Sequence, residues 1–439
     1  MVARRTRRII PLLAGALAAA MAVALAACSG GSAGGGSSSS GPVTLTEWDW
    51  GSPDAAMAAL VKQWNAAHPN IHIKRVVQPF DSFFTLERTA ITAHKGPDIV
   101  ENYATPFVFS FYQGLDDLSS YVTPEQRNDL SFWNVVSLGL KSSGAPYALP
   151  WGEQNVLFYY NKALFKKAGL SSPPTTWAQF LADCAALKAH GIVPISAGWK
   201  DGYYGEWWAS IFAPQFMTPA QQTAFIAKPD WTNPDIAKAL GYMKELWTKG
   251  YMTPTAPGLT LFPQAINNFH AGKAAMVLSL SANNANFSEY ASMGDNLGTF
   301  LPPVLPGSRL SSPEMEAEGG VAWSITKWSK DPKAAYQFLS FLAEASSQNT
   351  AFKLSAFVPN NVNATTQTNS QAGQQIIQWV THQPKFEGVV DIGFLANVEP
   401  AYDKVIPEII SGSLSTASAM QQVEQAQQQA PAIPGTSGG

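Results

Sequence analysis

Apolar and polar positions first alternate over Val43-Thr44-Leu45-Thr46-Glu47-Trp48, the period of a strand with one covered face. The period then lengthens: Met57, Leu60, Val61 and Trp64 share one face of a helix opened by Ser52-Pro53. That helix stops near His68-Pro69-Asn70, and Ile71 to Val77 reads as a second strand. Strand, helix and strand in this order predict a parallel pair with a crossover helix. Another helix, from about Asp81 to Lys95, leads through Gly96-Pro97 into a short buried strand at Asp98-Ile99-Val100.

The stretch from Pro146 to Lys162 breaks the rhythm. It is Pro-punctuated, passes Trp151 and Glu153, and becomes an apolar strand ending in Tyr159-Tyr160-Asn161-Lys162. We read it as a passage out of one lobe, across a cleft and into a second. Beyond it, Ala163 to Leu170 is helical, and Thr176 with Gln179 has the spacing of a capping box before a helix burying Phe180, Leu181, Cys184 and Leu187. Ile192 to Ser196 is a strand, and Asn233-Pro234 opens a helix carrying Ile236, Leu240, Met243 and Trp247, with Gly250 past its end. The chain turns at Gly272 into a strand, forms another over Gly319 to Ile325, and enters a helix capped by Asp331. Residues 348–383 are polar and helical in part, Tyr402 to Ile410 forms a late helix, and the tail from Gln421 is expected to fray.

Composition narrows the class. A chain of 439 residues is too long for one ordinary core, and 46% hydrophobic with 13% charged residues describes a globular protein rather than a nucleic-acid binder. At the N-terminus, Arg4, Arg5, Arg7 and Arg8 precede an apolar run from Ile9 to Ala27 that ends in Leu25-Ala26-Ala27-Cys28 and a Gly/Ser tract. This is the pattern of an export signal with a lipobox. Residues 1–27 are expected to be removed, Cys28 to be acylated, and 28–42 to serve as a flexible tether. The paired arginines suggest twin-arginine export, but the residues after them do not complete that pattern. The remaining chain carries 24 basic and 31 acidic residues, a balance of −7, and offers no basic surface for nucleic acid. Cys184 is then the one free thiol and reads as a core residue. No phosphate-binding glycine loop, nucleophile elbow or H-E-x-x-H occurs and the six histidines are scattered, so no cofactor, metal or catalytic residue is expected.

Several spaced segments resemble one family: Gly96-Pro97-Asp98-Ile99, Tyr147-Ala148-Leu149-Pro150, Tyr159 through Leu170, Pro173-Pro174-Thr175-Thr176-Trp177, Phe269 through Met276, Gly319-Gly320, and Ala334-Ala335-Tyr336-Gln337-Phe338-Leu339. In this order, behind a lipobox, they are similar to the extracellular solute-binding proteins of carbohydrate ABC importers, the group that includes maltose- and oligosaccharide-binding proteins. The resemblance implies an α/β, periplasmic-binding-protein-like fold of two lobes joined by three crossovers, with the ligand cleft between them. We place the crossovers near Trp151–Asn155, Ser279–Ser281 and Val321–Ser324. Lobe one is then 43–153 with 280–323, and lobe two 154–279 with 324–439. A monomer delivering its carbohydrate to a membrane permease, and held to the outer face of the bacterial membrane by Cys28, is the implied function.

Sugar recognition needs flat rings for C–H faces and polar groups for hydroxyls. Fourteen tryptophans make this chain rich in such rings. Trp50, Glu101 and Asn102 follow strands at the edge where open α/β sheets bind ligands. Trp151 and Glu153 lie in the first passage, and Trp199, Tyr203 and Trp207 follow the Ile195 strand. Ser281, Asn283 and Asn284 occupy a turn where the family often carries an aromatic that is missing here, so polar contacts are expected. Gly320 is either a hinge or a contact; Phe357 and Asp391 complete the candidates. Trp48, Trp64, Trp177, Trp247 and Trp323 read as packing. Two other classes fit the same residues: a secreted carbohydrate-active enzyme, since carboxylate pairs are always found among 31 acidic residues, and a binding protein of this fold for a polyamine.

Overall fold

Two sheets organise the computed structural model, which describes residues 41–51, 53–281, 292–368, 370–395 and 397–436. The first sheet contains β1 (Val43–Asp49), β2 (Ile71–Val77), β3 (Ile99–Tyr103), β4 (Leu149–Gln154), β9 (Met315–Ile325) and β10 (Lys385–Glu387), ordered β10-β9-β3-β1-β2 with β4 also on β9. The second contains β5 (Val156–Asn161), β6 (Val193–Ser196), β7 (Ala274–Leu280) and β8 (Leu297–Phe300), ordered β6-β7-β5-β8.

The opening expectation holds: β1 pairs in parallel with both β2 and β3, with α1 (Asp54–Ala67) as a crossover. Met57, Leu60, Val61 and Trp64 are the buried stripe of α1. Its N-cap position is Pro53, without a side-chain cap, and Ser52 lies outside the described residues. The capping box of Thr176 and Gln179 is formed, as are the caps at Asn233 and Asp331. Gly272 turns into β7 with φ +67, a conformation that costs a residue with a Cβ but not glycine. The tail departs from expectation. Residues Thr416–Gln428 are helical, because Ala419, Met420 and Val423 bury a face against neighbouring helices. Beyond it, Ile433 is buried and the Pro434 carbonyl accepts from the Gly139 amide at 3.0 Å, so the end of the chain returns to the first lobe.

The passages between sheets fall partly where the sequence put them. The first is at Asn155, between β4 and β5. Residues 297–300, expected in lobe one, instead pair with β5 in the second sheet. The chain therefore returns to the first sheet only after β8, where β9 pairs with β10 over Met315 to Ala317 and with β3 over Val321 to Ile325. The helices Pro332–Ala343 and Ala345–Ser355, expected in lobe two, pack on α1 of lobe one, and the chain reaches lobe two again only by the helix Gln371–His382, which lies on β8. Long apolar stripes decide these positions by finding cover, and residue order does not fix which sheet supplies it.

At the first passage Asn155 is fully buried and ties three segments together. Its amide donates to Ser281 Oγ at 3.1 Å, and that hydroxyl donates back to Asn155 Oδ1 at 3.1 Å. Its Nδ2 donates to Glu153 Oε1 and to the Glu316 carbonyl, each at 2.9 Å, while the Val156 amide donates to Glu316 Oε2 at 2.7 Å. Asn155→Ala strands several of these buried groups at once. The expected loss is about 2–4 kcal/mol of unfolding free energy, read by denaturant titration. A loss below about 0.5 kcal/mol, the level of an ordinary surface substitution, would show that the junction is not a structural tie.

Candidate functional site

Parallel pairing of β1 with β3 brings their C-terminal ends to one edge, and the first wall of the site is built there. Trp50 follows β1, and its amide donates to Glu101 Oε2 of β3 at 3.0 Å. The Trp50 ring meets Phe83 at 5.1 Å, Tyr103 at 5.2 Å and Phe84 at 5.8 Å between centroids, so β1, β3 and α2 (Phe80–Ala93) contribute to one aromatic surface. Beneath it lie the buried carboxylates Glu47, Asp49 and Glu101; Arg75 pairs with Asp49 through Nη2 at 2.8 Å. Burial pushes the Glu101 carboxyl well above its ordinary range, with the Asp49 charge adding to the effect.

The second wall comes from lobe two. Tyr203 and Trp207 lie at the start of the helix Tyr204–Phe212 and face Phe262, at 6.5 and 5.8 Å between centroids. Glu206 of the same helix meets Glu399 and Asp403, one turn apart on the helix Glu399–Ser411; one oxygen of each lies within 4.8 Å of the others. Gly202 permits this approach. Its φ is +91, and a Cβ there would come within 2.3 Å of the Asp403 carbonyl. Asp391 adjoins the group, with its amide donating to Ser210 Oγ at 2.9 Å.

The electrostatics show that the walls face one another. Tyr103, on lobe one, is held protonated by burial first and then by the charges of Glu399, Asp391 and Glu206 on lobe two. Arg88 of α2 in turn lowers the Glu399 carboxyl. Two unit charges 4.8 Å apart repel by roughly 3–4 kcal/mol at an effective dielectric of about 20, so three such carboxylates cannot all be ionised without a cation or a shared proton. Glu206 is pushed well up by burial, then by Asp403, Glu399 and Asp391, and its side chain hydrogen-bonds that of Asp403. The remaining oxygens, Glu206 Oε1 and Asp403 Oδ1, have no partner. Among the described residues this trio is the one group of carboxylate, His or Cys ligands close enough to hold a cation.

Not all expected site residues share this place. Trp50, Glu101, Tyr203, Trp207 and Asp391 belong to it. Trp151, expected at the cleft, is fully buried: Nε1 donates to the Leu342 carbonyl at 2.8 Å and the ring packs on Phe357 at 4.7 Å. Phe357 in turn covers Gly152 and Gly320, where added Cβ atoms would come within 2.0 and 3.0 Å of its ring. These are core positions of lobe one. Glu153 pairs with Lys385 at 2.7 Å and lines, with it, a separate cavity of about 310 Å³ bounded by Val358 to Val362. Trp199 is 2% exposed and stands edge-on to Trp247 at 4.8 Å. Asn102 is buried and donates to Glu87 Oε1 at 3.2 Å, and Ser281 belongs to the Asn155 junction. Asn283, Asn284 and Cys28 lie outside the described residues. A larger cavity, about 580 Å³, lies between β8 and the helix Gln371–His382 and contains none of the site residues.

Sequence reasoning missed Tyr103, Phe84, Glu206, Phe262, Glu399 and Asp403. Two signals were present: Tyr103 is two residues beyond Glu101 on the same strand face, and Glu399 and Asp403 are spaced to share a helix face.

Two α/β lobes with aromatic and acidic walls meeting at strand ends define a solute-binding protein of the periplasmic-binding-protein-like class. The chain belongs to the bacterial extracellular solute-binding protein family, whose description matches residues 48–349. The sn-glycerol-3-phosphate-binding periplasmic protein UgpB of Escherichia coli (strain K12) is 29% identical over 209 residues, 44% of each chain, so the match spans less than half of that curated relative. A chitin oligosaccharide binding protein superposes with a TM-score of 0.77 at 21% identity, covering 89% of this chain and 99% of that one. The GacH receptor of Streptomyces glaucescens, studied unliganded and with acarbose, gives 0.70 at 18% identity, covering 88% and 97%. At these identities the likeness is one of fold.

The raised carboxyls set a pH dependence. Burial above all pushes Asp403 up to about 7 and Glu399 to about 8, against about 4 in an unfolded chain. The native state therefore keeps protons that the unfolded chain releases, a stabilisation complete below about pH 4 and lost as pH rises through 7–8. The melting temperature of the ligand-free protein is expected to fall between pH 5 and 8.5, and less in Asp403→Asn. A flat or rising profile in differential scanning fluorimetry would show that these carboxyls are not shifted upward.

Proposed function

We propose that this chain is the substrate-binding component of an ABC importer and takes a sugar or oligosaccharide between its lobes. The observation that carries the reading is an aromatic group on each lobe, Trp50, Phe84 and Tyr103 on one and Tyr203, Trp207 and Phe262 on the other, with Tyr103 under the charge of Glu399, Asp391 and Glu206 beside the second. Such rings suit the apolar faces of pyranoses, and the carboxylates suit their hydroxyls. Family membership and the fold it shares with oligosaccharide-binding proteins support the same conclusion. Contacts available only when both walls meet the ligand would favour the closed form, which the permease then engages.

The protein acts by binding and release, without turnover. It works as a monomer outside the cytoplasm, held by a lipid on Cys28. No described helix is long and apolar enough to cross a membrane. A Cys28→Ser chain would then be recovered from the medium or the soluble extracytoplasmic fraction instead of the membrane.

A thermal-shift screen over mono- and oligosaccharides, with labelled oligosaccharides to detect cleavage, tests the reading. Stabilisation by at least one sugar, without cleavage, is expected. For that sugar, Trp50→Ala and Trp207→Ala should each weaken binding by about tenfold or more, whereas Trp199→Ala should act on stability first. No response to any sugar would end the carbohydrate assignment, and turnover would end the binding-protein one.

A further inference from the structure

A neutral sugar leaves one feature of the cleft unanswered. Glu206 is 3% exposed, yet its Oε1 has no hydrogen-bond partner, and neither has Asp403 Oδ1 beside it. Both belong to the trio with Glu399, and Asp391 lies close enough to raise all three further. Arg88 lowers Glu399 electrostatically, but among the described residues no ion pair joins a cation to Glu206 or Asp403. Buried carboxyls in this condition must either keep protons, as the raised Glu206, Glu399 and Asp403 do in the empty cleft, or receive a positive charge from a ligand.

We propose that the solute is an amino sugar, a carbohydrate whose ring carries a protonated primary amine seated on Glu206, Glu399 and Asp403. The proposal rests on the carbohydrate reading above and names the class of sugar. The spacing fits an ammonium group. Acceptors about 2.8 Å from one tetrahedral nitrogen lie about 4.6 Å apart, and the trio offers one oxygen each within 4.8 Å of the others. An ammonium supplies three donors to three carboxylates, whereas a hydroxyl supplies one. The rings beside the trio define the rest of the molecule. Trp207 and Tyr203 stand in the same helical turn as Glu206, with Phe262 against both, so flat apolar faces adjoin the charge. Such walls suit the C–H face of a sugar ring and add cation–π attraction. Their one side-chain oxygen, the Tyr203 hydroxyl, hydrogen-bonds the Phe262 backbone, so they add little for a hard divalent ion, which takes six or more.

Titration calorimetry on the full chain at pH 7 tests this, with deacetylated chito-oligosaccharides, their N-acetylated counterparts, and cello- and malto-oligosaccharides of equal length. Spermidine and calcium chloride are run alone as controls. The amine-bearing sugars are expected to bind at least tenfold more tightly than the neutral ones. That advantage should vanish in Glu206→Gln and Asp403→Asn, which replace carboxyls already partly protonated by neutral isosteres and should fold. Equal affinity for amine-bearing and neutral sugars, or binding of neutral sugars alone, overturns the amine seat and leaves the carbohydrate reading standing. Binding of spermidine or calcium with no sugar bound overturns both, as does the absence of any binding. An advantage that persists unchanged in both variants also overturns the assignment to this trio.

Discussion

The junction at Asn155 is the constraint on which the two-lobe arrangement depends. One side chain and its amide hold Ser281 at the end of β7, Glu153 at the end of β4 and the Glu316 backbone of β9. All of these groups are out of water, where an unmade hydrogen bond is expensive and a made one is strong. The chain can leave one sheet and enter another here because the backbone and side-chain groups of Asn155 and the Val156 amide all find partners within the junction. The Lys385 bridge to Glu153 extends the tie to β10. Motion of one lobe against the other would have to be absorbed around this point, and the cleft lies on the side where the C-terminal ends of β1 and β3 open.

Charge in the trio of Glu206, Glu399 and Asp403 is organised differently from charge at Glu153 and Asp49. Glu153 and Asp49 are each answered by a cation, Lys385 and Arg75. Glu206 and Asp403 hydrogen-bond one another and retain oxygens without partners. Oxygens without partners also occur on Glu47, Glu87, Glu101, Glu316 and Glu318; what sets Glu206 and Asp403 apart is that they cluster with Glu399 beside the rings of Tyr203 and Trp207. Repulsion among Glu206, Glu399 and Asp403 is unfavourable in the empty cleft, and it is the kind of stored disadvantage that binding can relieve.

Much of the fold was legible from the order of apolar periods. The β-α-β opening, the buried stripe of α1 and the capping boxes are local, and local hydrogen bonding and face alternation suffice to specify them. The lobe to which a segment belongs was less legible. β8 and the helices Pro332–Ala343 and Ala345–Ser355 have ordinary patterns that either lobe could cover, and long-range pairing assigned them. The same limit governs the tryptophans. Trp50 and Trp151 each end or interrupt a strand beside a carboxylate, yet Trp50 stands in an aromatic wall and Trp151 is sealed under Phe357, 206 positions further along the chain.

By itself, then, the sequence determined the element types, the two-lobe family and one wall of the site, since those rest on short-range periodicity and on motifs kept in order. Only the tertiary structure decided which carboxylates stand together. Glu206, Glu399 and Asp403 are nearly two hundred positions apart at their extremes and acquire a common chemistry only when two helices pack with Gly202 between them. Burial and mutual repulsion are properties of that packing. No spacing in the chain encodes them directly.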